Sequence, residues 1–190
     1  QRIFIILLAI MMAGKTDSQN TVGLISKKQG ATEGFTFVYP INQANGYLVD
    51  GCGALVNAWL DDPTFMAGAA AYLTPQGQLL KTKRKINFAQ DKIFAPGAGG
   101  IVELRSWDNN LLWQYELNNE QFRLHHDIKL MPNNHILMLV WEEKSKEECI
   151  AAGRNPGFIS DGKIYNEKII EVDPSTSEIV WEWSVWDHLI

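Results

Sequence analysis

The sequence predicts an all-β protein assembled from repeated four-stranded antiparallel sheets, and three observations carry that prediction. Short apolar runs alternate with polar residues at a period of two and are bounded by Gly, Pro, Asn and Asp. A strand, a turn and a strand ending in tryptophan occur three times, over Tyr47–Trp59, Val102–Trp113 and Ile170–Trp183. A second half-pattern follows the first two copies, so that Pro75 and Pro132 lie 57 positions apart and Trp59 and Trp113 lie 54 apart. Four-strand units recurring at about 40 to 55 residues are the signature of β-propeller blades. Each unit has an apolar face it cannot cover alone, so neighbours must stack.

Taken in order, Arg2 precedes ten apolar residues, Ile3 to Met12, with the charge and length of a secretory signal. The run is too short to span a bilayer. Residues 1–18 are therefore expected to be a signal peptide, with a buried N-terminal strand as the alternative, and the protein is expected to be exported to the periplasm or secreted. No membrane association beyond export follows. Phe35–Tyr39 alternates and stops at Pro40, as an edge strand does. Lys81 to Lys85 is the only basic cluster, and it reads as a solvated face along a strand. Gly97-Ala98-Gly99-Gly100 leads into a strand, lacks the helix N-terminus of a phosphate loop, and reads as a turn.

The stretch Leu124–Trp141 is a strand, a Pro-Asn-Asn turn and a returning strand, with two histidines at the mouth of the first. A helical insert, bounded at 142–165, interrupts the rhythm: Ser145 and Glu148 form a capping box, and Gly153 suits the helix end. Long inserts rise from one rim of a propeller, where function collects. The sequence thus spells two complete units and the first half of a third, about two and a half blades over 21–190. Closed propellers need roughly four to eight. A first residue of Gln and a last segment, Trp186 to Ile190, in mid-pattern give the expectation of an N-terminal piece of a longer protein.

Composition excludes several classes. At 46% hydrophobic and 21% charged the chain is globular, and a net charge of -5 without a basic stripe argues against nucleic-acid binding. Cys52 lies in a Gly-Cys-Gly turn and Cys149 in the helical insert, so one disulfide or two free thiols both remain open.

Several ordered motifs then resemble one family. They are His125-His126-Asp127-Ile128 through Pro132-Asn133-Asn134, Trp141–Ser145, Ala151–Pro156, Ile170–Pro174 into Val180–Trp183, and Trp186–Leu189. In combination they resemble the aryl sulfotransferases, exported six-bladed propellers. The resemblance implies sulfuryl transfer from an aryl sulfate ester to a phenolic acceptor, without a nucleotide sulfate donor. It also implies a sulfohistidine intermediate, with other histidines, an asparagine and an arginine holding the sulfate at the central channel. Neutral imidazole is a competent nucleophile, and fixed donors stabilise charge on the transferring group. The family's nucleophile and arginine lie in later blades, so enzymatic activity depends on a longer chain. The alternative is a non-catalytic exported propeller that binds a protein or glycan through its rim.

The His125-His126 pair matches the family's first channel histidine. Adjacent strand residues point to opposite faces, so both rings line one channel only if the strand is broken there. His126 shares parity with Leu124, Ile128 and Leu130, and is the residue expected to contact sulfate. His125 is its packing neighbour, or else both cap the blade. The preceding unit has Gly68 and Ala69 at these positions, so the frame does not require histidine. Asp127 reads either as the group that orients an imidazole or as a turn former. His188 and Arg154 are further candidates for substrate contact, each with a structural alternative, and His135 reads as a solvent-exposed turn residue. Catalytic zinc needs about three convergent ligands, which the diverging pair and scattered cysteines do not supply. No metal and no cofactor is expected, and the Asp61-Asp62 turn lacks a full calcium loop. The tryptophans at repeated positions read as staples between blades.

Overall fold

The computed structural model describes residues 26–87 and 91–189, so the expected signal segment lies outside the described residues. Three antiparallel sheets follow one another along the chain. The first contains β1 (Phe35–Val38), β2 (Gly46–Asp50) and β3 (Leu55–Trp59). β4 (Phe65–Leu73), β5 (Leu79–Lys85), β6 (Ile101–Arg105) and β7 (Leu111–Glu116) form the second. The third comprises β8 (Phe122–Leu130), β9 (Ile136–Ser145), β10 (Lys163–Asp173) and β11 (Glu178–Ser184). Within each sheet the strands pair in chain order, the meander of a propeller blade. The architecture is an incomplete β-propeller.

The phase of the repeat differs from the sequence expectation. The recurring strand, turn and tryptophan strand is the outer half of a sheet (β2–β3, β6–β7, β10–β11) and does not begin one. The two complete sheets are consequently the second and third. The first has three strands among the described residues.

Sheets two and three share the largest apolar core. Leu80 and Val102 of the second meet Leu124, Ile128, Met138 and Ile170 of the third, all buried. Each such aliphatic side chain contributes about 1.5 to 3 kcal/mol on burial. Two tryptophans fasten one sheet to the next. Trp59 is fully buried, packs edge-on against Trp107, and donates its Nε1–H to the Ser106 carbonyl at 2.8 Å. Trp113 donates to Ser177 Oγ at 3.1 Å in the β10–β11 turn. Trp181, on β11, is 48% exposed.

The solvated reading of the basic cluster is corrected by the structure. Lys81 and Lys83 are 0% and 4% exposed, because strand alternation turns both toward the first sheet. Lys81 Nζ lies 2.6 Å from Asp61 and donates to the Ala44 carbonyl, while Lys83 Nζ lies 2.6 Å from Glu103 and 3.0 Å from Asp61. Arg105 completes the network, with Nε 2.7 Å from Glu103. Burial among these carboxylates pushes the Tyr39 phenol well above its usual range.

Strand direction sorts the connections. The β5–β6 loop (86–100) and the β9–β10 connection (146–162) emerge at the end where β8 starts, whereas short turns such as 74–78 and 131–135 occupy the opposite end. In the second connection α1 (Lys146–Ala151) carries the reciprocal Ser145–Glu148 capping box, and Gly153 adopts φ +93° just past its end. No helix among the described residues is long and apolar enough to cross a membrane.

Candidate active site

β8 begins at Phe122, earlier than the hairpin pattern implies, so the histidines sit in its middle and not at its mouth. There the strand bulges. His125 pairs with Leu139 and Ile128 with Met138, leaving His126 and Asp127 as two extra residues, and His126 takes φ +48°. The break removes the alternation that would separate the rings. Nδ1 of His125 and Nδ1 of His126 stand 2.9 Å apart, with the rings at 87° to each other.

The free edge of β8 is covered at this point by the β5–β6 loop. Gly99 N donates to the Leu124 carbonyl at 2.9 Å, and His126 N donates to the Gly97 carbonyl at 2.8 Å. Arg123 holds that loop from beneath. It is fully buried, donates through Nη1 to the Ile93 carbonyl at 2.6 Å and through Nη2 to the Gly99 carbonyl at 3.0 Å, and pairs with Asp91 at 2.7 Å. Gly97 seats the imidazole of His126: a Cβ added there would stand 2.3 Å from both Cε1 and Nε2 of the ring. The Gly97–Gly100 stretch is therefore a platform as well as a turn. A glycine cluster before a strand is the sequence signal for such a close approach.

The two imidazoles occupy different environments. His126 is exposed, while His125 is buried and stacks on Trp141 at 4.2 Å and 9°. Tyr165 extends the stack beyond Trp141. Nε2 of His125 lies 2.9 Å from Oε2 of Glu167, near in distance but out of line for a hydrogen bond, so the contact is chiefly electrostatic. The other carboxylate oxygen accepts from Trp141 Nε1 at 3.1 Å. Burial lowers the proton affinity of His125, and His126 lowers it further, against the opposing pull of Glu167.

Of the candidates read from sequence, only His125 and His126 meet. Asp127 accepts from the Tyr72 hydroxyl at 2.7 Å and from the Ile128 N–H at 2.8 Å, tying β4 to β8, and the carboxylate beside the imidazoles is Glu167. Arg154 is exposed on the insert and lines a cleft of about 400 Å³ with Tyr165, Glu167 and Trp186. His188 turns to Trp183 and donates from Nδ1 to the Ser184 carbonyl at 2.8 Å. His135, expected in solvent, is half-buried, with Nδ1 2.6 Å from Glu171. Both cysteines are free thiols in the structure, Cys52 exposed and Cys149 buried. Glu167, Arg123 and Trp141 were not readable as site residues, because nothing in their local spacing marks their approach to His125.

A solvent-facing imidazole backed by a buried imidazole and a carboxylate can exchange protons or meet a group in transfer. The family model described as Arylsulfotransferase (ASST) matches residues 25–190, nearly the whole chain. No curated protein matches it. On that match, together with sheets that meander as propeller blades and a histidine pair on the edge strand β8, the chain belongs to the arylsulfotransferase family.

Proposed function

We propose that this chain serves sulfuryl transfer from an aryl sulfate ester to a phenolic acceptor, through a sulfohistidine intermediate, with His126 as a channel imidazole that meets the reacting group and His125 as its support. In the first half-reaction an N–S bond forms on a histidine as the S–O bond to the donor aryl group breaks. The aryl oxide leaves with that electron pair and is released as the phenol after taking up a proton. In the second, the acceptor oxygen bonds to sulfur, the N–S bond breaks and the phenolic proton is released. On this reading the nucleophile and a sulfate-binding arginine belong to later blades of a longer protein. The observation that carries the reading is the exposed His126, held on the edge strand β8 by a bulge and a glycine seat. Fixed geometry of this kind is what transfer chemistry needs.

The test uses the full-length protein, 4-nitrophenyl sulfate as donor and phenol as acceptor. Release of 4-nitrophenol should fall by about a hundredfold or more in His126→Ala, the range for a lost acid–base or positioned group. Undiminished turnover in that variant removes His126 from the mechanism. We also place the reaction outside the cytoplasm, on the signal-like run from Arg2 to Met12. Recovery of the full-length protein from the cytoplasmic fraction would contradict that placement.

A further inference from the structure

Nδ1 of His125 and Nδ1 of His126 are 2.9 Å apart. Two lone pairs or two N–H groups at that separation repel, so one proton lies between them and one ring donates. The remaining nitrogen of His125 decides which. Its Nε2 is buried, faces Oε2 of Glu167 at 2.9 Å, and has no in-line hydrogen-bond partner among the described residues. A bare Nε2 would set a lone pair against a carboxylate. An Nε2–H instead gains a charge-assisted contact, completed by a small turn of the half-exposed Glu167 side chain. His125 therefore carries its proton on Nε2 and accepts at Nδ1, and burial opposes a second proton on the same ring. His126 must then donate from Nδ1, and in the neutral ring this leaves its own Nε2 bare.

We infer that Glu167 is a positioning residue that acts through His125 to fix the tautomer of His126, leaving Nε2 as the proton-accepting atom of that exposed residue. Glu167, Trp141 and His125 form one unit for this purpose. The indole stacks on His125 and donates to the same carboxylate at 3.1 Å, so ring and carboxylate share a support. The use of the bare nitrogen rests on the proposed transfer. As the acceptor oxygen bonds to sulfur, the phenolic O–H breaks and an N–H forms at Nε2 of His126. The S–N electron pair returns to the histidine that carried the sulfuryl group. The imidazolium formed at His126 is then stabilised by the negative charge of Glu167 across His125.

The test is long-range ¹⁵N–¹H correlation spectroscopy of the ¹⁵N-histidine-labelled full-length protein at neutral pH, with His126→Asn spectra assigning the signals. The expected result is His126 protonated at Nδ1 and unprotonated at Nε2. In Glu167→Ala and Glu167→Leu, neither of which offers an acceptor, the His126 proton should move toward Nε2. Glu167 is half-exposed, so two variants of different size keep a folded sample available. A wild-type His126 protonated at Nε2, or a tautomer unmoved in either folded variant, overturns the inference. These spectra do not depend on turnover. The expected tautomers in a protein without transferase activity would retire the proposed function and leave the relay standing.

Discussion

Asp61→Asn tests the ion network between the first two sheets with almost no change of shape. Three cations (Lys81, Lys83 and Arg105) face two carboxylates (Asp61 and Glu103), and the substitution raises the local excess from one positive charge to two. Removing one partner of a buried pair costs about 3 to 5 kcal/mol. The lower end applies here, because Lys83 keeps Glu103 at 2.6 Å and Lys81 keeps the Ala44 carbonyl. About 3 kcal/mol corresponds to a Tm lowered by roughly 6 to 12 °C in a chain of this size. Burial by itself would raise the Asp61 pKa, but the two lysines outweigh it and hold the carboxyl below the usual range. A carboxyl depressed in the folded state contributes stability above its unfolded pKa, near 4, and that stability disappears as pH falls through the folded value. Wild-type stability should therefore decline below about pH 4, and the Asn variant should show a shallower decline from a lower starting point. Urea unfolding followed by tryptophan fluorescence across that range measures both. A variant within about 0.5 kcal/mol of wild type at neutral pH, with the same acid limb, would mean that water reaches the cluster.

Two further substitutions probe the histidine seat. Gly97→Ala places a methyl group where the His126 ring lies and forces a φ of +90° on a residue with a Cβ, so a stability loss of about 1 to 3 kcal/mol and a displaced His126 are expected. Unchanged His126 ring resonances in the folded variant would contradict the seat. Arg123→Lys keeps the charge but cannot bridge two carbonyls and Asp91 at once. Losing one charge-assisted bond, about 1.5 to 3 kcal/mol, should speed hydrogen exchange at the Gly99 and His126 amides by about tenfold or more, and unchanged protection would mean that another group secures the loop.

Much of the fold was legible because a sheet broadcasts itself through period-two alternation and turn residues. The tryptophan-ended strands and the Pro-Asn-Asn hairpin are local features of that kind. What escaped was set by partners far along the chain. Lys81 and Lys83 look like any solvated stripe until Asp61 and Glu103 arrive from neighbouring strands, and no local pattern announces a buried ion network. The phase of the repeat escaped because tryptophan marks the outer strand, which ends a sheet. At the site, the sequence located the histidine pair and stated the condition under which both rings could meet. It could not place the break, since bulges often carry a glycine and β8 has none. Glu167 stands 41 positions from His126, and the intervening insert hides their proximity.

The irregularity in β8 also has an arithmetic side. It adds two residues, an even number, so Leu124 before it and Ile128 after it still face the same core. β4 carries a matching offset between Ala67 and Ala71, at the positions that correspond to the histidines. Deleting a single residue there would invert every side chain on one half of the strand and strand its apolar groups in water. Deleting the pair would keep the core parity and straighten the strand, at the loss of the perch and of the Asp127–Tyr72 tie to β4. Chemistry and architecture are thus separable at this spot, and the frame can carry or omit the imidazoles without being rebuilt.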